Sequence, residues 1–111
     1  MELTTTNLKH CDLISMTGRF DSATAPDLER ALKASMDAGV FRIVLDMTNV
    51  EYFGSAAIRS LVQAYKECRR FNRGDVRLAC VPERIHNVLH IAGILPLIQI
   101  FDTTVLAVGS F

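Results

Sequence analysis

Tryptophan is missing from this chain, cysteine and proline occur three times each, and twelve basic residues cancel twelve acidic ones. Each scarcity excludes something. A balanced charge supplies no global field for a nucleic acid or a membrane surface, so any electrostatic preference has to be local. Cys11, Cys68 and Cys80 are odd in number and lack CxxC spacing, which points to reduced, packed thiols and away from a disulfide framework or a zinc site. No apolar run approaches the roughly 18 residues that span a bilayer. The start, Met1-Glu2-Leu3-Thr4, has neither a basic segment nor an apolar signal core. A soluble cytoplasmic protein is expected, with no membrane insertion and no direct nucleic-acid partner.

Apolar residues are what the chain has in quantity, at 50% of 111 positions. That is ample for one core and leaves little room for a second module. No repeat, low-complexity tract or linker interrupts the sequence, and a single domain over residues 1–111 is expected.

Periodicity divides the chain into alternating elements. Thr-rich Leu3 to Leu8 and the alternating Cys11 to Thr17 predict a hairpin turning near Lys9-His10. Thr24 with Asp27 approximates a capping box, and Pro26 fits the first turn of the helix that follows. Leu28, Ala31, Leu32, Ser35 and Met36 give that helix one apolar face, and Gly39 is placed to stop it. Phe41 to Met47 is apolar on both sides of the pleat, the pattern of a central strand covered on two faces. Thr48 to Ser55 reads as a loop. From Ser55 to about Phe71 a helix follows, with Ala57, Ile58, Leu61, Val62, Ala64, Tyr65 and Cys68 on one side and a basic stripe of Arg59, Lys66, Arg70 and Arg73 with Gln63 on the other.

Asn72-Arg73-Gly74-Asp75 breaks this helix, and Val76 to Val81 is the next strand. Pro82-Glu83 opens a helix with Ile85, Val88, Leu89 and Ala92 inward, ended by Gly93. A short strand within Ile94 to Phe101 and a final helical segment, capped within Asp102-Thr103-Thr104 and running through Val108, complete the chain. The order implies right-handed crossovers and an α/β layer of about four to five β-strands, mixed but mostly parallel, with helices packed on it. Functional loops gather at the carboxyl ends of such strands, so Gly18 to Thr24 and Thr48 to Ser55 are expected at one end.

Chemistry-bearing residues are few. His86 and His90 stand at i, i+4, but no nearby pattern completes a metal site and no Glu lies between them. Gly-rich phosphate loops, Ser-x-Gly elbows and convincing carboxylate pairs are lacking, so neither an enzyme nor a cofactor is expected. Ser55 sits at the change of period with a hydroxyl free to face solvent, in a position where serine also serves as a helix cap. Asp21 reads equally as a turn residue bonding its own backbone.

The residues Gly18-x-Phe20-Asp21-x-x-Thr24-Ala25-x-x-Leu28 and Val44-Leu45-Asp46-Met47-x-x-Val50-x-Tyr52-Phe53, with the helix opening at Ser55, resemble the STAS domains, named for sulfate transporters and anti-sigma-factor antagonists. The likeness spans nearly the whole chain. It implies a bacterial anti-sigma-factor antagonist that binds a serine-kinase anti-sigma factor and is released when that kinase phosphorylates a serine, with a phosphatase reversing the step. Ser55 occupies the acceptor's place. Where the family usually has aspartate before that serine this chain has Gly54, and where it usually has glycine two residues after the serine this chain has Ala57. Asp21, Ser22, Thr24, Gly54, Ala56, Ala57 and Arg59 are the expected partner-binding residues. An alternative is a non-switching STAS subunit of a larger regulatory or transport assembly, and a homodimer is compatible with either. A sensor holding an apolar small molecule is a further reading that no residue demands.

Overall fold

A computed structural model describes all residues, 1–111. Five strands form one sheet in the order β1-β2-β3-β4-β5: β1 Glu2–Asn7, β2 Asp12–Phe20, β3 Arg42–Phe53, β4 Asp75–Ala79 and β5 Ile100–Phe101. β1 pairs antiparallel with β2, and every later pair is parallel. The helices are α1 Ala25–Asp37, α2 Ser55–Arg69, α3 Glu83–Ile91 and α4 Thr104–Gly109. Because each crossover moves the chain one strand in the same direction, the right-handed rule puts α1, α2 and α3 on one face.

That face holds the main core. Ile14, Met16 and Phe20 of β2, with Ile43, Leu45 and Met47 of β3, meet Leu28 and Leu32 of α1, Leu61 and Cys68 of α2, and Ile85 and Leu89 of α3. The opposite face carries a smaller cluster in which Ala107 of α4 packs with Val44, Ala79 and Cys11. Strand β3 is therefore covered on both faces at its start, as its apolar run predicts.

Two helices end as their glycines foretell. Gly39 takes φ +85, its N–H bonds the Met36 carbonyl and the Val40 N–H bonds the Ser35 carbonyl, the paired bonds of a Schellman stop. Gly93 at φ +75 ends α3 in the same way, through His90 and Leu89. Thr103 caps α4, its hydroxyl accepting from the Leu106 N–H at 3.1 Å.

Four expectations need correction. Most of Thr48 to Ser55 is strand, since β3 runs on to Phe53, and Gly18 to Phe20 of the other expected loop belong to β2. The pairing of β3 with β2 slips twice, once between Ser15 and Thr17 and once between Gly18 and Arg19. Each slip inserts an extra residue on β3 and lets Met47, Val50 and Phe53, three apart, all reach the core. The Thr24–Asp27 capping box does not form, because Thr24 makes no side-chain cap bond to α1 and Asp27 pairs with Arg30 instead. Ala92 is exposed, lying beyond the last turn of α3. Half of the basic stripe is neutralised: Glu67 takes both Arg70 and Arg73, and Arg73 also lies over the Phe41 ring.

Candidate functional site

The parallel ends of β2 and β3 set the site. The Gly54 N–H donates to the Phe20 carbonyl at 2.9 Å, so the loop Asp21 to Thr24 and the start of α2 leave the sheet side by side. Two loops 30 residues apart in sequence thus share one edge, as the α/β order implies.

Asp21 and Thr24 fold the first loop on itself. The Asp21 carboxylate accepts from the N–H groups of Ala23 at 3.0 Å and Thr24 at 3.1 Å. The Thr24 hydroxyl donates to the Arg19 carbonyl at 2.8 Å and accepts from the Asp21 N–H at 3.0 Å. The Thr24 N–H, then the Ala23 N–H and Thr24 hydroxyl with nearby Arg19, hold the Asp21 carboxyl below its usual range despite partial desolvation. One Asp21 oxygen is committed to this turn, and the other accepts no hydrogen bond within the chain.

At the second loop, Gly54 is the N-cap of α2, with extended backbone at φ −87 and ψ 179, and Ser55 is its first helical residue. Ser55 is therefore not the cap. The Ile58 N–H bonds the Gly54 carbonyl, and no side chain caps the first turn. The Ser55 side chain is exposed, at a helix start whose unbonded N–H groups and dipole favour an added negative charge.

The expected site residues separate by depth. Ser22, Ser55 and Arg59 are exposed, Asp21, Thr24 and Ala56 are half-buried, and Gly54 and Ala57 are buried. Ala57 is 0% exposed and packs in the main core, so it and Gly54 shape the surface from beneath. Arg59, one turn along α2, enters no ion pair among the six in the molecule.

Sequence reasoning missed what lies over Gly54. A Cβ there would meet the Tyr52 ring at 2.9 Å and the Tyr52 hydroxyl at 3.0 Å, and the Arg19 guanidinium sits 4.6 Å from that ring's centroid. The signal was present: residues two apart on a strand share a face, and Tyr52 precedes Gly54 by two. Arg84 of α3 was also missed; it donates to the Glu51 carbonyl at 2.6 Å and ties α3 to the same edge. His86 and His90 are both exposed on α3, and no group of three metal-ligating side chains converges around them. No helix is long and apolar enough to cross a membrane.

The family model described as the STAS domain matches residues 3–107. A Bordetella bronchiseptica protein, BtrV, which carries the provisional name of anti-sigma factor antagonist, is 28% identical over 111 residues, covering 100% of this chain and 95% of that protein. Among solved structures, an anti-sigma factor antagonist from Mycobacterium paratuberculosis superposes with a TM-score of 0.89 at 20% identity, covering 98% of this chain and 92% of that one. The Bacillus cell fate determinant SpoIIAA, in its phosphorylated form, superposes with a TM-score of 0.76 at 13% identity, covering 98% of both chains. At such identities the two structures establish a shared fold.

Proposed function

The chain belongs to the STAS domain family, and from that membership we propose that it is an anti-sigma-factor antagonist, a cytoplasmic single-domain binding module with no catalysis of its own. In its free form it binds an anti-sigma factor of the serine-kinase type. Phosphorylation of Ser55 by that kinase releases it, and a phosphatase restores it. The observation that carries this reading is the exposed hydroxyl of Ser55 on the uncapped first turn of α2, beside the Asp21 loop. The name of the Bordetella relative agrees with it.

The switch follows from electrostatics. A phosphate adds roughly 1.5 to 2 negative charges and three strong acceptors, which the start of α2 accommodates without unfolding. A partner surface packed over Ser55 would have to desolvate that phosphate at a cost of several kcal/mol. Partner affinity then falls while the fold persists. Asp21, Ser22, Thr24, Ala56 and Arg59 form the contact rim, supported from below by Gly54 and Ala57.

The test is incubation with ATP and a serine-kinase anti-sigma factor from the same organism, phosphate mapping, and titration of the complex. We expect phosphate on Ser55 and a Ser55→Asp affinity reduced by about a hundredfold or more, near 3 kcal/mol. Full binding by Ser55→Asp with no phosphate on Ser55 favours the second reading, a non-switching subunit of a larger assembly. The observation behind that reading is the Tyr52 ring, which fills the space a side chain at position 54 would use.

A further inference from the structure

At the end of the sheet opposite Ser55, an open cavity of about 370 Å³ lies between the starts of β3 and β4 and the C-terminal residues. We propose that this cavity is an anion site for small molecules carrying a diphosphate group. It is separate from the Ser55 edge and does not depend on the function proposed there.

The donors are arranged before any ligand arrives. Arg77 is clamped: its Nε donates to Asp75 Oδ2 at 3.1 Å, its Nη1 donates to the Ser110 carbonyl and hydroxyl at 2.7 Å each, and its guanidinium lies 4.1 Å from the Phe111 ring centroid. The Nη2 group of Arg77 stays unengaged. Arg69 is held 3.6 Å from Asp75 Oδ1. Gly74 lines the wall with a backbone N–H that has no backbone acceptor. Arg42, at the start of β3, lines the same cavity, is exposed, and enters no ion pair.

The one acidic side chain in the lining offers little free negative charge. Asp75 is 4% exposed, and both its oxygens are engaged, Oδ1 by the Val76 N–H and Arg69 and Oδ2 by Arg77. It fixes the guanidinium groups in place while offering little negative surface. Helix dipole compensation explains Arg69, in the last turn of α2. It does not explain Arg42, which stands on a strand.

Planar guanidinium forks suit phosphate oxygens in bidentate geometry. Three of them spread around one cavity suit two linked phosphates better than one. Arg42 also lines a second cavity with Lys9, so the positive surface continues past the mouth and leaves room for the rest of such a molecule.

The experiment titrates the full chain with inorganic pyrophosphate at low salt, following backbone amides by NMR and affinity by calorimetry. We expect saturable binding, the largest shifts at Gly74 and its neighbours, and weaker binding of inorganic phosphate. Arg42→Ala should weaken pyrophosphate roughly tenfold, as loss of one charge-assisted pair does. Arg30→Ala, which removes an equal charge from α1, and Ser55→Asp should both leave it unchanged. Thermal midpoints of the variants check that each is folded. Absence of saturation, equal losses in Arg42→Ala and Arg30→Ala, or shifts spread evenly over basic residues would overturn the proposal.

Discussion

Gly54 is buried because an aromatic side chain lies over it, and this contact decides which substitutions the position accepts. Its φ of −87 imposes no glycine requirement; the constraint is the Tyr52 ring, stacked in turn under Arg19. Gly54→Asp must push the ring aside and break the stack, and we expect a loss of about 1 kcal/mol in urea denaturation. In a Tyr52→Ala background the same substitution should gain a few tenths of a kcal/mol, because aspartate is a favoured N-cap and the space is then free. Equal costs in the two backgrounds would show that the ring is not what opposes the carboxylate. At Asp21 the turn reading of the sequence describes the geometry, for one carboxylate oxygen accepts from the Ala23 and Thr24 N–H groups.

Among the elements, helices were legible and the long strand only in its first half. The stops of α1 and α3 could be read from Gly39 and Gly93 because a positive φ beyond a helix leaves few alternatives to glycine. Strand β3 hid its second half because bulges change the spacing of inward residues from two to three, and a period of three without a helix looks like a loop. Ser60 escaped notice as core for a different reason: it is buried in α2 by donating back to the Ala56 carbonyl at 3.2 Å, a bond that composition does not reveal. The neutralisation of Arg70 and Arg73, just past α2, was unreadable too, since the turn after the helix brings them to Glu67 and Phe41.

Helix α4 is the shortest of the four helices. It spans six residues, exposes Val105 and Leu106, and is fixed at its end by Arg77 through Ser110 and Phe111. Arg77→Ala should therefore raise amide exchange in α4 by about tenfold or more while α1 and α2 keep their protection, because local opening of a small element is read separately from global unfolding. Uniform acceleration across all helices would show that Arg77 supports the whole fold through Asp75.

For the whole molecule, two groups at different depths contribute to the pH dependence of stability. Asp21 has a depressed carboxyl, so its stabilising share is present above the unfolded value of 3.8 and is lost as pH falls through its lower folded value. Burial pushes the Cys68 thiol up from 9.0 to about 12. The unfolded chain releases that proton first, so stability declines as pH rises from about 9 toward 12. Denaturation midpoints across pH should show both contributions, and Cys68→Ala should flatten the alkaline one while Asp21→Asn flattens the acid one. An unchanged alkaline limb in Cys68→Ala would assign it to other groups.

The sheet's spatial order is its sequence order, from β1 through β5. On a ribosome, where N-terminal segments emerge first, each new strand finds its only neighbour already made and needs no gap opened for it. The hairpin of β1 and β2 supplies a template, and the chain grows outward by one crossover at a time. What stays bare longest is the face around Val44 and Ala79, covered only when the last residues bring α4 across it. A nascent chain stalled before Thr104 would leave that apolar patch bare to water, and quality control would have a specific surface to recognise.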